Sequence, residues 1–225
     1  MKSSSHASRD GRAVRWEQHR QSRREELLDA VAQAVRAHGA AVGMDQIADT
    51  AGTSKAVFYR YFADKQDLYQ SVGRKLAGDL VVEIAEAVGA ETDDLTMLAA
   101  GVNAYLNLLE SEPELYRFVV HNPTLGTVGA DAVAGYTSLV SDVVSTLFEN
   151  SLSGRGFATD GAAPWGVAVV GGIRAAGDWW LAQPPEGRPD REQLVKYLVA
   201  LMYHGMAGIT ARRPVDDVRS LVRPK

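Results

Sequence analysis

Apolar residues recur at helical spacing through almost the whole chain. Leu27, Leu28, Val31 and Val35 mark a first helix, opened by the capping-box pattern Ser22-Arg23-Arg24-Glu25 and closed by Gly39. Met44 to Ala51 is a short second helix with Ile47 and Ala51 on one face, ended by Gly52. Thr53 or Ser54 caps a third, in which Phe58 and Phe62 face inward at i, i+4. Asp64 caps a fourth, carried by Leu68, Val72, Leu76, Leu80 and Ile84 to about Ala90. Leu95, Leu98, Val102, Leu106 and Leu109 give a fifth over 92–110. A second capping box, Ser111 to Glu114, starts a short helix from Leu115 to His121, which ends at Asn122-Pro123. Gly126 and Gly129 mark a loop. Val133, Tyr136, Val140, Val143 and Leu147 then form one stripe over 130–149, and 150–163 reads as a loop. Pro164 opens a helix through Trp165, Val169, Ile173 and Trp180, broken by 183–187. Asp190 caps the last, from Arg191 to about Arg212. No stretch alternates for long enough to predict a strand, so the expected class is all-α.

Charge divides the chain where periodicity does not. Residues 1–75 hold 13 Lys and Arg against 9 Asp and Glu, a balance of +4; the remainder holds 11 against 19, a balance of −8. Only the first third suits a polyanion. The fourth helix crosses that boundary and is the expected connector. Residues 1–21 are polar and basic (Lys2, Arg9, Arg12, Arg15, Arg20), and are expected as a disordered arm, either solvated or lying along phosphates. The expected division is therefore 1–21 arm, 22–70 helix-turn-helix domain, 71–225 effector-binding and dimerisation domain. With 46% apolar and 23% charged residues and no run of 18 apolar residues, a globular protein without a membrane span is expected. There is no cysteine and no apolar leader segment, and both fit a cytoplasmic protein.

The stretch from Met44 to Lys65 carries the chemistry. Around its two inward Phe residues the third helix presents Lys55, Ala56, Val57, Tyr59, Arg60 and Tyr61, which suits a major groove. An ordinary helical hairpin with aromatic core residues is the alternative. Gly52-Thr53-Ser54-Lys55, Val57-Phe58-Tyr59-Arg60-Tyr61-Phe62, Lys65 and Leu68-Tyr69 resemble the signature of the tetracycline-repressor (TetR) family, densely from Glu25 to Tyr69. The resemblance implies a three-helix helix-turn-helix domain, a larger helical ligand domain and a homodimer on a palindromic DNA operator. It also implies DNA contact by Lys55, Ala56, Val57, Tyr59, Arg60, Tyr61 and Lys65. Among these Arg60 can fork onto a guanine edge and Val57 can meet a thymine methyl. Tyr59, Tyr61, Thr53 and Ser54 offer hydroxyls to phosphates, and Lys65 sits at a helix start suited to one. Surface solvation is the alternative for each.

The remaining two-thirds shows no phosphate-binding glycine loop, nucleophile elbow or metalloprotease motif, and the His residues lack metal-ligand spacing. No cofactor and no enzymatic activity are expected. Candidate walls for a small apolar ligand are Leu98, Val102, Tyr105, Phe118, Trp165, Val169 and Ile173, with core packing the alternative for each. Arg174 and Asp178, i and i+4, are either a surface ion pair or the polar groups of the pocket. The last helix is apolar almost all round, which predicts dimerisation through the last two helices, with Gly171, Gly172, Gly205 and Gly208 allowing close approach. Gly171 to Leu181 and Ser111 to Val120 resemble actinobacterial regulators of lipid metabolism, some of which sense acyl-CoA thioesters. Drug-sensing efflux regulators are the alternative in the same class, and a small-molecule-binding or hydrolytic protein with an incidental helix-turn-helix is the alternative in another.

Overall fold

A computed structural model describes residues 5–121 and 126–210, with side chains placed for 15–121, 131–203 and 205. Among the described residues there is no strand, as periodicity predicts. The helices are α1 (Ser5–His38), α2 (Met44–Thr50), α3 (Lys55–Tyr61), α4 (Lys65–Gly89), α5 (Asp94–Ser111), α6 (Pro113–Val120), α7 (Gly126–Ser153), α8 (Ala162–Ala182) and α9 (Arg191–Thr210). A 3-10 turn at Pro185–Gly187 fills the break between the last two.

The chain forms two compact units, and their division differs from the expected boundary at residue 70. The first unit is Met1–Asp79 with Glu112–Leu139; the second is Leu80–Ser111 with Val140–Lys225. The helix α6 therefore belongs with the helix-turn-helix, not with the effector part. The cause is its apolar face: Leu115, Phe118 and Val119 are buried in one cluster with Leu27, Val31, Val35, Ile47, Phe58 and Leu68. Polar contacts fasten it further. Arg36 of α1 forks onto Glu112 at 2.9–3.0 Å, and Glu114 accepts the Ala40 amide at 2.9 Å.

A second difference concerns the expected arm. Residues 5–21 continue α1 as helix instead of forming a disordered segment; residues 1–4 lie outside the described residues. Nothing in 5–21 breaks a helix except Gly11, and the packed helix beyond supplies the nucleus that an isolated segment lacks. The Ser22–Glu25 pattern accordingly starts nothing: Gln21 Nε2 donates to Glu25 at 2.9 Å across one turn. The Ser111 box does not form either. Glu112 stands at the cap of α6 without a side-chain cap bond, and the Glu114 carboxylate is spent on Ala40. The helix α7 begins at Gly126, where a glycine loop was expected, and runs to Ser153, into the expected 150–163 loop. The Asn122-Pro123 stop and the end at Arg212 lie outside the described residues.

In the second unit, Leu80, Ile84 and Val88 of α4 pack with Tyr105, Leu108, Val140 and Leu147. The helix α5 lies against α8 and α9, and at Gly177 the approach of α8 leaves no room for a side chain: a methyl there would lie 2.6 Å from Leu109 and 2.9 Å from the Tyr105 ring. Asp93 caps α5: it accepts the Thr96 hydroxyl at 2.6 Å and the amides of Thr96 and Leu95, and these bonds, the hydroxyl's first, hold its carboxyl below the usual range. Asp190 accepts the Gln193 amide at 2.7 Å and caps α9 as expected.

Candidate nucleic-acid interface

The turn between α2 and α3 is built by backbone geometry. Gly52 has φ +60°, and a methyl at that position would be strained even though the space is open. The Thr53 amide donates to Ala48 and the Gly52 amide to Asp49, both at 3.0 Å, the paired bonds that close a helix over a left-handed residue. Ser54 then takes an extended conformation (φ −106°, ψ 156°) at the cap of α3, and its hydroxyl makes no cap hydrogen bond. The expectation that it caps by its side chain is corrected; the hydroxyl is left for another acceptor.

The amphipathic split of α3 holds. Phe58 and Phe62 are buried, their rings stacked at 6.3 Å. Ser54, Lys55, Ala56, Tyr59 and Arg60 are exposed, while Thr53, Val57, Tyr61 and Lys65 are half-buried at the edges of the same surface. Nine sequence-predicted residues thus share one short element and its two flanks. Arg60 is exposed on the last turn of α3 and has no ion-pair partner among the described residues. Lys65 opens α4 with Nζ 5.3 Å over the Tyr69 ring. That α4 start is pinned reciprocally: the Asp67 amide donates to Asp64 at 2.8 Å and the Ala63 amide to Asp67 at 3.1 Å.

Two participants were missed from sequence. Asp45 of α2 holds Lys55 Nζ at 2.7 Å, and its hydrogen bond raises the lysine above its ordinary value. No local spacing announces a pair that spans the turn. Arg24 of α1 lies with its guanidinium 4.7 Å over the Phe62 ring and reaches Ser71 Oγ, so the end of α3 is buttressed from behind. Only the folded geometry reveals that arginine's partner.

The candidate effector residues divide. Leu98, Val102 and Tyr105 lie on successive turns of α5; Trp165, Val169 and Ile173 do so on α8, all in the second unit. Val102 and Ile173 are buried, and Trp165 meets Phe148 edge-on at 6.5 Å. Phe118 is not among them. It is fully buried in the first unit, stacked on Tyr69 at 4.3 Å, because α6 packs on α1. Arg174 Nη1 reaches Asp178 at 3.2 Å, while its Nε is buried with no hydrogen-bond partner among the described residues. Among the described residues no group of three or more His, Asp or Glu could hold a metal ion, and no helix is long and apolar enough to cross a membrane.

Two family descriptions match the chain. "Bacterial regulatory proteins, tetR family" covers residues 27–72, and "Tetracyclin repressor-like, C-terminal domain" covers 83–217. The chain is 32% identical over 201 residues to an HTH-type transcriptional regulator of Mycobacterium tuberculosis strain H37Rv, covering 89% of this chain and 84% of that one. It is 33% identical over 132 residues to the HTH-type transcriptional activator FasR of Mycolicibacterium smegmatis, covering 56% and 60%. Its fold is similar to that of the transcriptional regulator FadR from Bacillus subtilis in complex with stearoyl-CoA. The TM-score is 0.60 at 17% identity, covering 80% of this chain and 98% of that one.

Proposed function

The chain belongs to the TetR family of transcriptional regulators, and on that premise we propose that it is a homodimeric repressor which binds a palindromic operator and leaves it when an apolar ligand binds. The observation that carries the DNA reading is the exposure split of α3. Phe58 and the C-cap Phe62 are buried, while Ser54, Lys55, Ala56, Tyr59 and Arg60 are exposed and Thr53, Val57, Tyr61 and Lys65 are half-buried at the edges. Arg60 takes a guanine edge, Val57 a thymine methyl, and Lys55, Lys65, Thr53, Ser54, Tyr59 and Tyr61 the phosphates, with Ala56 allowing close approach. A phosphate takes Lys55 over from Asp45.

The ligand is a long-chain acyl-CoA or a similar lipid. The FadR complex with stearoyl-CoA supports this class, as do the apolar faces of α5 and α8 in the second unit. Leu98, Val102, Tyr105, Trp165, Val169 and Ile173 contact the chain, and the unpartnered Arg174 Nε, beside Asp178, orients its polar end. The ligand acts by preferring one conformation, so release requires different affinity for the two. Dimerisation uses α8 and α9. Their exposed surfaces carry Val167, Trp179, Tyr197 and Leu201, each at least half exposed, and Gly171 and Gly205 face open space. The site of action is the cytoplasm, where the operator is.

The test begins with a duplex selected from a random library by the full-length protein. Stearoyl-CoA should release it at concentrations where coenzyme A alone does not; equal indifference to both would remove the lipid reading. Resemblance to the activator FasR favours a second reading, in which the bound protein raises transcription. Transcription of a reporter behind the selected duplex, with and without the protein, separates the two signs.

A further inference from the structure

Within the first unit, α1 outruns everything packed against it. Among its residues with placed side chains, the buried positions begin at Leu27, whereas residues 15–22 are exposed throughout. Two contacts give the direction of this overhang. Lys75 of α4 lies 3.8 Å from Asp29, and Arg24 lies 3.7 Å from Asp67. A step toward the N-terminus of α1 is thus a step toward the N-terminus of α4. Because Arg24 already meets the first turn of α4, the turns before it extend past the start of α4. That is the end at which Lys65 and the last turn of α3 lie, and Arg24 itself covers the Phe62 ring. The segment from Ser5 to Arg24 is roughly 30 Å long at an α-helical rise.

The overhang has a chemically distinct face. Trp16, Arg20 and Arg23 fall at i, i+4 and i+7, with His19 and Arg24 beside them. Trp16 is 63% exposed, and the Arg20 guanidinium lies 5.7 Å from its ring centroid. Arg9 and Arg12 precede Trp16 by seven and four residues. The first 24 residues hold seven Lys and Arg against two Asp and Glu, so the positive balance of the first third resides here. Arg23 pairs with Glu26 at 2.6 Å, but like charges three and four apart still repel along this face. Arg24 is met by Asp67 and the Phe62 ring, but Arg20 has no ion-pair partner among the described residues, and a polyanion would supply one.

We propose that the overhang of α1 is a second DNA-binding element: its Trp16–Arg20–Arg23 face lies along the phosphates of duplex flanking the base pairs read by α3. The proposal rests on the reading of α3 as the recognition helix. The flanking contact is independent of sequence and adds salt-sensitive affinity and length to the site. Trp16 holds the Arg20 guanidinium over its ring and places an indole against the sugar-phosphate edge.

The test uses the full-length protein on the selected duplex in two lengths, one with about ten flanking base pairs on each side (about one helical turn) and one trimmed to the base pairs needed for selection. On the flanked duplex, Arg20→Gln should reduce the slope of log affinity against log salt by about one per half-site. Arg15→Gln removes the same charge from another face and should leave the slope near that of the parent. On the trimmed duplex all three proteins should coincide. The tryptophan emission lost in Trp16→Phe should respond to the flanked duplex and not to the trimmed one. Equal slopes for parent and Arg20→Gln on the flanked duplex, or a Trp16 signal blind to the flanks, would overturn the proposal. An Arg60→Ala protein that discriminates selected from random duplex as well as the parent would instead remove the α3 reading beneath it.

Discussion

Single residues on α3 divide into those that hold the helix in place and those that face outward, and the two kinds respond differently to substitution. Arg60 is exposed with its fork free, so Arg60→Ala should lose about 1–3 kcal/mol of discrimination at one base position per half-site. Lys65 lies at the edge, over the Tyr69 ring, and is proposed to meet the DNA backbone; Lys65→Ala should then weaken all sequences about equally. Binding measured across a panel of single-base operator variants checks both, and a uniform loss for Arg60→Ala would displace it from the groove. Dividing this stretch into buried and exposed positions needed little beyond sequence, because the i, i+4 spacing of Phe58 and Phe62 already orients the helix. Asp45 and Arg24 were hidden, because each acts on a partner that only the turn or the tertiary packing brings near.

At the scale of elements, the turn and the α1–α6 joint are the sensitive points. Gly52→Ala forces a side chain into the left-handed region and should destabilise the first unit by about 1–2 kcal/mol, read by denaturant unfolding. Glu114 links α6 to the loop after α1, and the Ala40 amide, with Arg117, holds its carboxyl below its ordinary value. A lowered carboxyl contributes stability above its unfolded value, near pH 4.3, and loses it as pH falls through the lower folded value. The stability gap between the parent and Glu114→Gln should therefore be widest at neutral pH and shrink below about pH 4.3. A gap independent of pH would show that the charge plays no part. The same joint explains which boundaries the sequence carried. Caps such as Asp64 and Asp190 are local and were legible, whereas α6 reads as part of the chain that follows it until its buried face is seen against Leu27 and Val31. Phe118 lies on that buried face. Residues 5–21 misled for the opposite reason: their composition is that of a tail, but they inherit helix from the packed segment they extend.

For the whole molecule, the exposed apolar residues on α8 and α9 are the proposed seat of a second copy. Leu201→Arg, at a position 67% exposed, leaves the protomer core untouched and should yield monomers by sedimentation. Operator affinity should fall far more than a single side chain distant from DNA explains, because each half-site then binds alone. A folded Leu201→Arg protein that remains dimeric would move the interface elsewhere. Sequence-specific DNA binding by paired α3 helices is read most directly in the affinity of the purified protein for its selected palindromic duplex against a scrambled duplex of equal length, at physiological salt. The expected ratio is about a thousand or more. A ratio near one would contradict it.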